Sequence, residues 1–112
     1  MVVKSVSSPF GGQTRTRVLL ALRLLGDSYP REPSRILGLP LSGVQKALAG
    51  LDLDGLVAGR SVGRTRLYRL NPRYFAADAL AGFLLRLTEP EAELRDRIEA
   101  LRRRPRRVGK PL

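Results

Sequence analysis

Two apolar periods alternate along this chain, one helical and one strand-like. The helical period is clearest in LPLSGVQKALAGLDLD, Leu39 to Asp54, where Val44, Leu48 and Leu51 fall at i, i+4 and i+7 on one face. Pro40 closes whatever precedes, and Ser42 is placed to cap the helix with its hydroxyl. The opposite face carries Gly43, Gln45, Lys46, Ala49 and Gly50, all small or polar and none acidic, while Asp52 and Asp54 both stand at the far end. Taken alone, the stretch reads as an ordinary amphipathic helix. Its acid-free front also suits the major groove of DNA, where the first turns of a helix meet base edges and phosphates.

The surrounding elements follow from the same patterning. Thr14 to Leu25 predicts a helix capped by Gln13 or Thr14 and ended by Gly26, with Phe10 packing ahead of it as a staple. It is apolar on two sides. Val18, Leu22 and Leu25 are expected to meet the Leu39–Asp54 helix, and Leu20 and Leu24 to meet the C-terminal part. Gly26-Asp27-Ser28 reads as a turn, and Tyr29 to Leu37 as a short helix that either starts near Pro33 or bends there. After Gly55 the period drops to two. Leu56 to Arg60 and Thr65 to Leu70 predict strands joined by a turn at Ser61-Val62-Gly63-Arg64, with Tyr68 in the core and Asn71-Pro72 as the stop. Arg73 to Leu87 predicts a fourth helix. Thr88-Glu89-Pro90-Glu91 reads as a capping box that opens a fifth, ending near Arg103, with Leu94, Ile98 and Leu101 as a narrow stripe and Glu91–Arg95 and Glu93–Arg97 spaced as ion pairs. The fold class is therefore mainly α with a small β-hairpin, a winged helix-turn-helix domain followed by two C-terminal helices. Residues 1–12 are expected to form a flexible arm, 13–72 the winged domain, 73–104 the C-terminal helices and 105–112 a basic tail.

Charge narrows the class of partner. The 112 residues carry 21 Lys+Arg against 10 Asp+Glu, a net charge of +11. Arg102, Arg103, Arg104, Arg106, Arg107 and Lys110 supply six of these with no acid among them, which leaves +5 for the rest. The excess favours an anionic partner, nucleic acid before a membrane surface. The absence of Cys and His removes disulfides and the usual zinc sites. No apolar run is long enough to span a bilayer, and no signal-peptide core is present. No metal, membrane or cofactor is expected, and the location expected is cytoplasmic, at the nucleoid. The acids form no catalytic constellation and Gly11-Gly12 lacks the lysine of a phosphate loop, so no enzyme is expected.

The order helix, short helix, helix, basic hairpin is that of a winged helix-turn-helix domain. The runs TRTRVLLAL, LGLPLSGVQKAL and LDLDGLVAGRSVGRTRLYRLNP resemble the ArsR-like winged-helix transcriptional regulators over roughly Phe10 to Pro72, most specifically in GLV…VGRT.LYRLN. The resemblance implies binding to duplex DNA as a two-fold dimer, with the recognition helix in the major groove and the wing along the backbone or minor groove. Three departures stand out. Without Cys or His, metal sensing is not implied. Pro33 interrupts the second helix, and Leu53 is apolar where an exposed charge is usual.

The expected DNA contacts are Ser42, Gly43, Gln45 and Lys46 on the recognition helix and Arg60, Arg64 and Arg66 on the wing. Gln pairs with adenine through two hydrogen bonds, and Lys reaches guanine or phosphate. The alternative for the wing arginines is a solvated strand edge, but with the recognition helix beside them contact with phosphate is favoured. Arg15 and Arg17 are weaker candidates, with a solvated face as the equal alternative, and Arg102 to Arg107 divide evenly between DNA contact and disorder. Leu20, Leu24, Phe83, Leu84, Leu87, Leu94, Ile98 and Leu101 are the expected homodimer surface; the alternative is that these helices cover each other within one chain. A sequence-specific regulator of double-stranded DNA competes with a winged-helix protein-interaction adaptor and with a general nucleic-acid binder, RNA included.

Overall fold

The computed structural model describes residues 9–103. Among them the chain forms α1 (Gln13–Leu25), α2 (Arg31–Leu37), α3 (Leu41–Leu53), strands β1 (Val57–Val62) and β2 (Thr65–Leu70), α4 (Ala77–Leu87) and α5 (Ala92–Arg103). This is a mainly helical fold with one antiparallel hairpin, in the order of a winged helix-turn-helix domain followed by two further helices. The expectations for residues 1–8 and for the basic tail from 104 onward lie outside the described residues.

The organising element is α1. Its Val18, Leu19, Leu20, Ala21 and Leu22 are all buried, because α3 and α2 pack on one side of the helix and α4 and α5 on the other. That is the cover its two apolar stripes require. Each of the valine and leucine side chains contributes about 1.5–3 kcal/mol by leaving water. Phe10 packs on the edge of this core, its ring centroid 5.9 Å from that of Phe83 on α4.

The same packing corrects part of the expected dimer surface. Leu20, Leu84, Leu94 and Ile98 are buried within one chain, and Leu24, Leu87 and Leu101 pack partly buried against the same core. The C-terminal helices cover α1 instead of presenting these residues outward. Phe83 alone of the set stays exposed, at 47%.

Local chemistry sets the turn between α2 and α3. Pro33 is the third residue of α2, where its missing N–H would have had no helical partner, so the helix starts ahead of it at Arg31. Gly38 ends α2 in the left-handed region (φ 67°, ψ 34°), and Ser34 Oγ donates to the Leu39 carbonyl at 2.7 Å. Two helix starts differ from expectation. Pro40, not Ser42, stands at the N-cap of α3, and its extended ψ of 139° admits Leu41 to the first turn. Thr88 does not open α5 but closes α4 as its C-cap: its hydroxyl donates back to the Leu85 carbonyl, and α5 begins at Ala92.

The hairpin is longer and its turn tighter than expected. Val62 pairs with Thr65, so only Gly63 and Arg64 form the loop, and Gly63 supplies the positive φ (62°) such a loop needs. Tyr68 lies across its cross-strand partner Gly59; a Cβ there would stand 2.6 Å from the ring. Ser28, read as part of a turn, exchanges both backbone hydrogen bonds with Tyr68 at 2.9 Å and so ties the end of α1 to the outer edge of β2. Asn71 fixes the hairpin's base. Its Nδ2 donates to the Gly55 carbonyl at 2.9 Å and its backbone N–H to the Leu56 carbonyl at 3.0 Å.

Candidate nucleic-acid interface

The front of α3 is open. Ser42, Gln45, Lys46 and Ala49 are exposed, while Val44, Ala47, Leu48 and Leu51 face α1 and the core. The first helical hydrogen bond runs from Val44 N to Pro40 O, so the N–H groups of Leu41, Ser42 and Gly43 precede the ladder. No side chain caps them and no acid stands in the first turn. The surroundings of the Gly43 Cα are also empty: nothing lies within 4 Å of where a Cβ would be. This end of α3 thus presents unpaired N–H donors, a hydroxyl, an amide and an ammonium to solvent, a set that suits phosphate and base edges.

Gln45 faces the wing. It shares an open cleft of about 490 Å³ with Tyr29 and Glu32 at the start of α2, with Leu41, and with Thr65 at the base of the wing loop. Tyr29 and Thr65 were not among the residues singled out from the sequence. Only the fold brings them beside Gln45, because Tyr29 lies 16 positions before it and Thr65 20 positions after it.

The wing arginines divide by strand alternation. Arg64 is in the loop and exposed. Arg60 is exposed on the outer face of the hairpin, paired across the strands with Leu67. Arg66 lies on the inner face. Its Nη2 sits 3.5 Å from Asp52 Oδ2 at the end of α3, and its guanidinium is 5.7 Å from the Tyr68 ring centroid. Arg66 therefore ties the wing to the end of α3.

Arg15 and Arg17 are likewise engaged within the chain. Arg15 Nη2 is 2.6 Å from Asp54 Oδ2, and its Nε donates to the Phe10 carbonyl at 2.7 Å. The side chain also passes within 2.9 Å of where a Gly50 Cβ would be, so the glycine leaves room for it. Arg17 pairs with Glu91 at 3.4 Å. Glu91 is thus not Arg95's partner; Arg95 instead donates to the carbonyls of Thr88 and Glu89, whereas Glu93–Arg97 forms as spaced, at 2.7 Å. Both acids at the C-terminal end of α3 carry an arginine partner, and Lys46, Arg60 and Arg64 pair with no acid among the described residues.

Leu53 closes α3 with 87% of its surface exposed, and Phe75, in the turn before α4, is 92% exposed. The Phe75 ring rests against that of Tyr74, with 4.9 Å between centroids, whereas no packing partner accounts for Leu53 among the described residues. Among the described residues no helix is long and apolar enough to cross a membrane, and no group of three or more His, Cys, Asp or Glu is placed to hold a metal ion. No protein-family model matches the chain, and a comparison with curated proteins gives no match.

Proposed function

We propose that this protein is a sequence-specific double-stranded DNA-binding transcriptional regulator of the ArsR-like winged-helix kind. In this reading α3 enters the major groove and the hairpin lies on the backbone or in the minor groove. One observation carries it: the exposed N-terminal half of α3 is uncapped and free of acid, and stands beside a wing whose Arg60 and Arg64 have no carboxylate partner among the described residues. Gln45 and Lys46 read bases, Ser42 and the first-turn N–H groups hold phosphate, and Gly43 permits close approach. The reading is tested by selecting duplexes from a random pool and measuring affinity against salt. Replacing Gln45 with Ala should cost roughly 1–3 kcal/mol on the best site and relax preference at one or two base pairs. Equal weakening on every duplex would remove Gln45 as a base reader.

A single winged helix covers one half-site, and a two-fold dimer sets two recognition helices at a fixed spacing. We propose a homodimer formed through α4 around Phe83, which remains 47% exposed beside Phe10. Sedimentation at micromolar concentration should give about twice the chain mass of 12.4 kDa. A monomer both free and on DNA would exclude this interface. The exposed Leu53 and Phe75 favour a second reading, a protein-interaction adaptor, in which binding would be insensitive to salt instead of falling steeply with it.

A further inference from the structure

Three arginines converge on the hairpin face turned away from α3. Arg60 on β1, Arg69 on β2 and Arg73 just past β2 line one open cleft of about 260 Å³, with Leu67 in its floor and Asp27 at its rim. Strand alternation explains their company. The cross-strand pairs Ala58–Arg69 and Arg60–Leu67 point outward, and the Gly59–Tyr68 pair between them points to the core. The position of Arg73 is fixed, because its backbone N–H donates to Asn71 Oδ1 at 3.0 Å and Asn71 is itself anchored on Gly55 and Leu56.

Arg15, Arg17, Arg66, Arg86 and Arg97 each pair with a carboxylate, but Arg60, Arg69 and Arg73 pair with none among the described residues. Three like charges gathered in one concavity, with a single acid at its edge, favour an anion. Guanidinium groups match phosphate oxygens in a forked geometry. The cleft has no aromatic side chain in its lining, so it offers no platform on which a base would stack.

We propose that this outer cleft binds the phosphate backbone of duplex DNA, so that the wing is gripped along its outer face and not only at its tip. The inference rests on the DNA-binding reading above and adds to it Arg69 and Arg73, neither of which lies near α3's open front. Contact is to backbone alone, so it raises affinity without adding sequence preference.

The test is affinity for a duplex, read by fluorescence anisotropy across a salt series, for the intact chain and two variants. Arg69→Ala combined with Arg73→Ala should flatten the slope of log affinity against log salt by about one to two units, at roughly 0.9 per lost phosphate contact, and leave the ranking of duplex sequences unchanged. Asp27→Asn removes the only acid in the lining and should tighten binding about threefold at low salt, an effect that salt abolishes. Asp27 is exposed and makes no side-chain hydrogen bond or ion pair among the described residues, so this variant reads the cleft without disturbing the fold. An unchanged slope in the double variant, or an unchanged affinity in Asp27→Asn, while the intact chain still binds duplex, overturns the cleft and leaves the DNA-binding reading standing. An intact chain that binds no duplex overturns both.

Discussion

A chain cut after Thr88 is expected to lose its cooperative fold rather than persist as a smaller folded domain. The deletion removes α5, whose Leu94 and Ile98 are almost wholly buried against α1 and α2. Two such side chains represent about 3–6 kcal/mol of burial, against a total stability of about 5–15 kcal/mol for a domain of this size. The cut also uncovers the second stripe of α1 and takes away polar ties across the helices. Arg97 donates to the Ile36 carbonyl at 2.8 Å, Arg102 donates to the Leu24 carbonyl, and Glu91 pairs with Arg17. Thermal and urea unfolding, followed by circular dichroism, measure the effect. The truncated chain should show no sharp transition, and the milder Ile98→Ala should lower stability by about 2–5 kcal/mol. A truncated chain that melts as sharply and as high as the intact one would place α5 outside the core.

This outcome turns on what an apolar stripe encodes. Leu94, Ile98 and Leu101 recur with helical spacing on an otherwise charged segment, and that pattern states that the helix covers something without stating whose surface it covers. The sequence therefore made α5 and the second side of α1 equally suited to a partner chain and to each other. The elements themselves were legible, because their periods of 3.6 and 2 run over many residues and glycines stand at Gly26, Gly38 and Gly63, where the chain turns. Helix starts were less so. Ser42 satisfies the chemistry of a cap, but Pro40 already sets the extended backbone that precedes a helix, and α3 begins two residues before Ser42 would have allowed.

The site was legible in the part that is local. The small, acid-free front of α3 is written within one short stretch, and its Gln45, Lys46 and Ala49 are exposed. The arginines were not, because a local reading counts charges and cannot see their partners. Arg15 meets Asp54 across 39 residues and Arg17 meets Glu91 across 74. Arg60 and Arg66 were grouped as one wing, although strand alternation sends them to opposite faces. The same alternation, applied to the sequence, joins Arg69 to Arg60.

Replacing Gly43 with Glu is expected to strengthen the fold and abolish most DNA binding, which separates the two in one variant. Gly43 is the third residue of α3, with empty space around the position of its Cβ, so a larger side chain meets no obstacle. Glycine inside a helix costs about 0.5–1 kcal/mol relative to good helix formers. A carboxylate in the first turn gains a further 0.3–1 kcal/mol or so from the helix dipole and the free N–H groups. The natural chain forgoes both, having neither an acid in that turn nor a side-chain cap. For a helix whose role ended at covering α1, this is a loss without return. For a helix that brings its first turn against phosphate, it is a requirement, since an acid there would occupy the N–H donors and repel the backbone. Gly43→Glu should therefore melt above the unmodified chain, by roughly 1 kcal/mol of added stability. Its affinity for the best duplex should fall by about 100-fold, the several kcal/mol expected of like charges pressed together at an interface. Gly43→Ala should share the gain in stability with a far smaller loss of binding. If Gly43→Glu binds duplex as tightly as the unmodified chain, the N-terminal half of α3 does not face DNA.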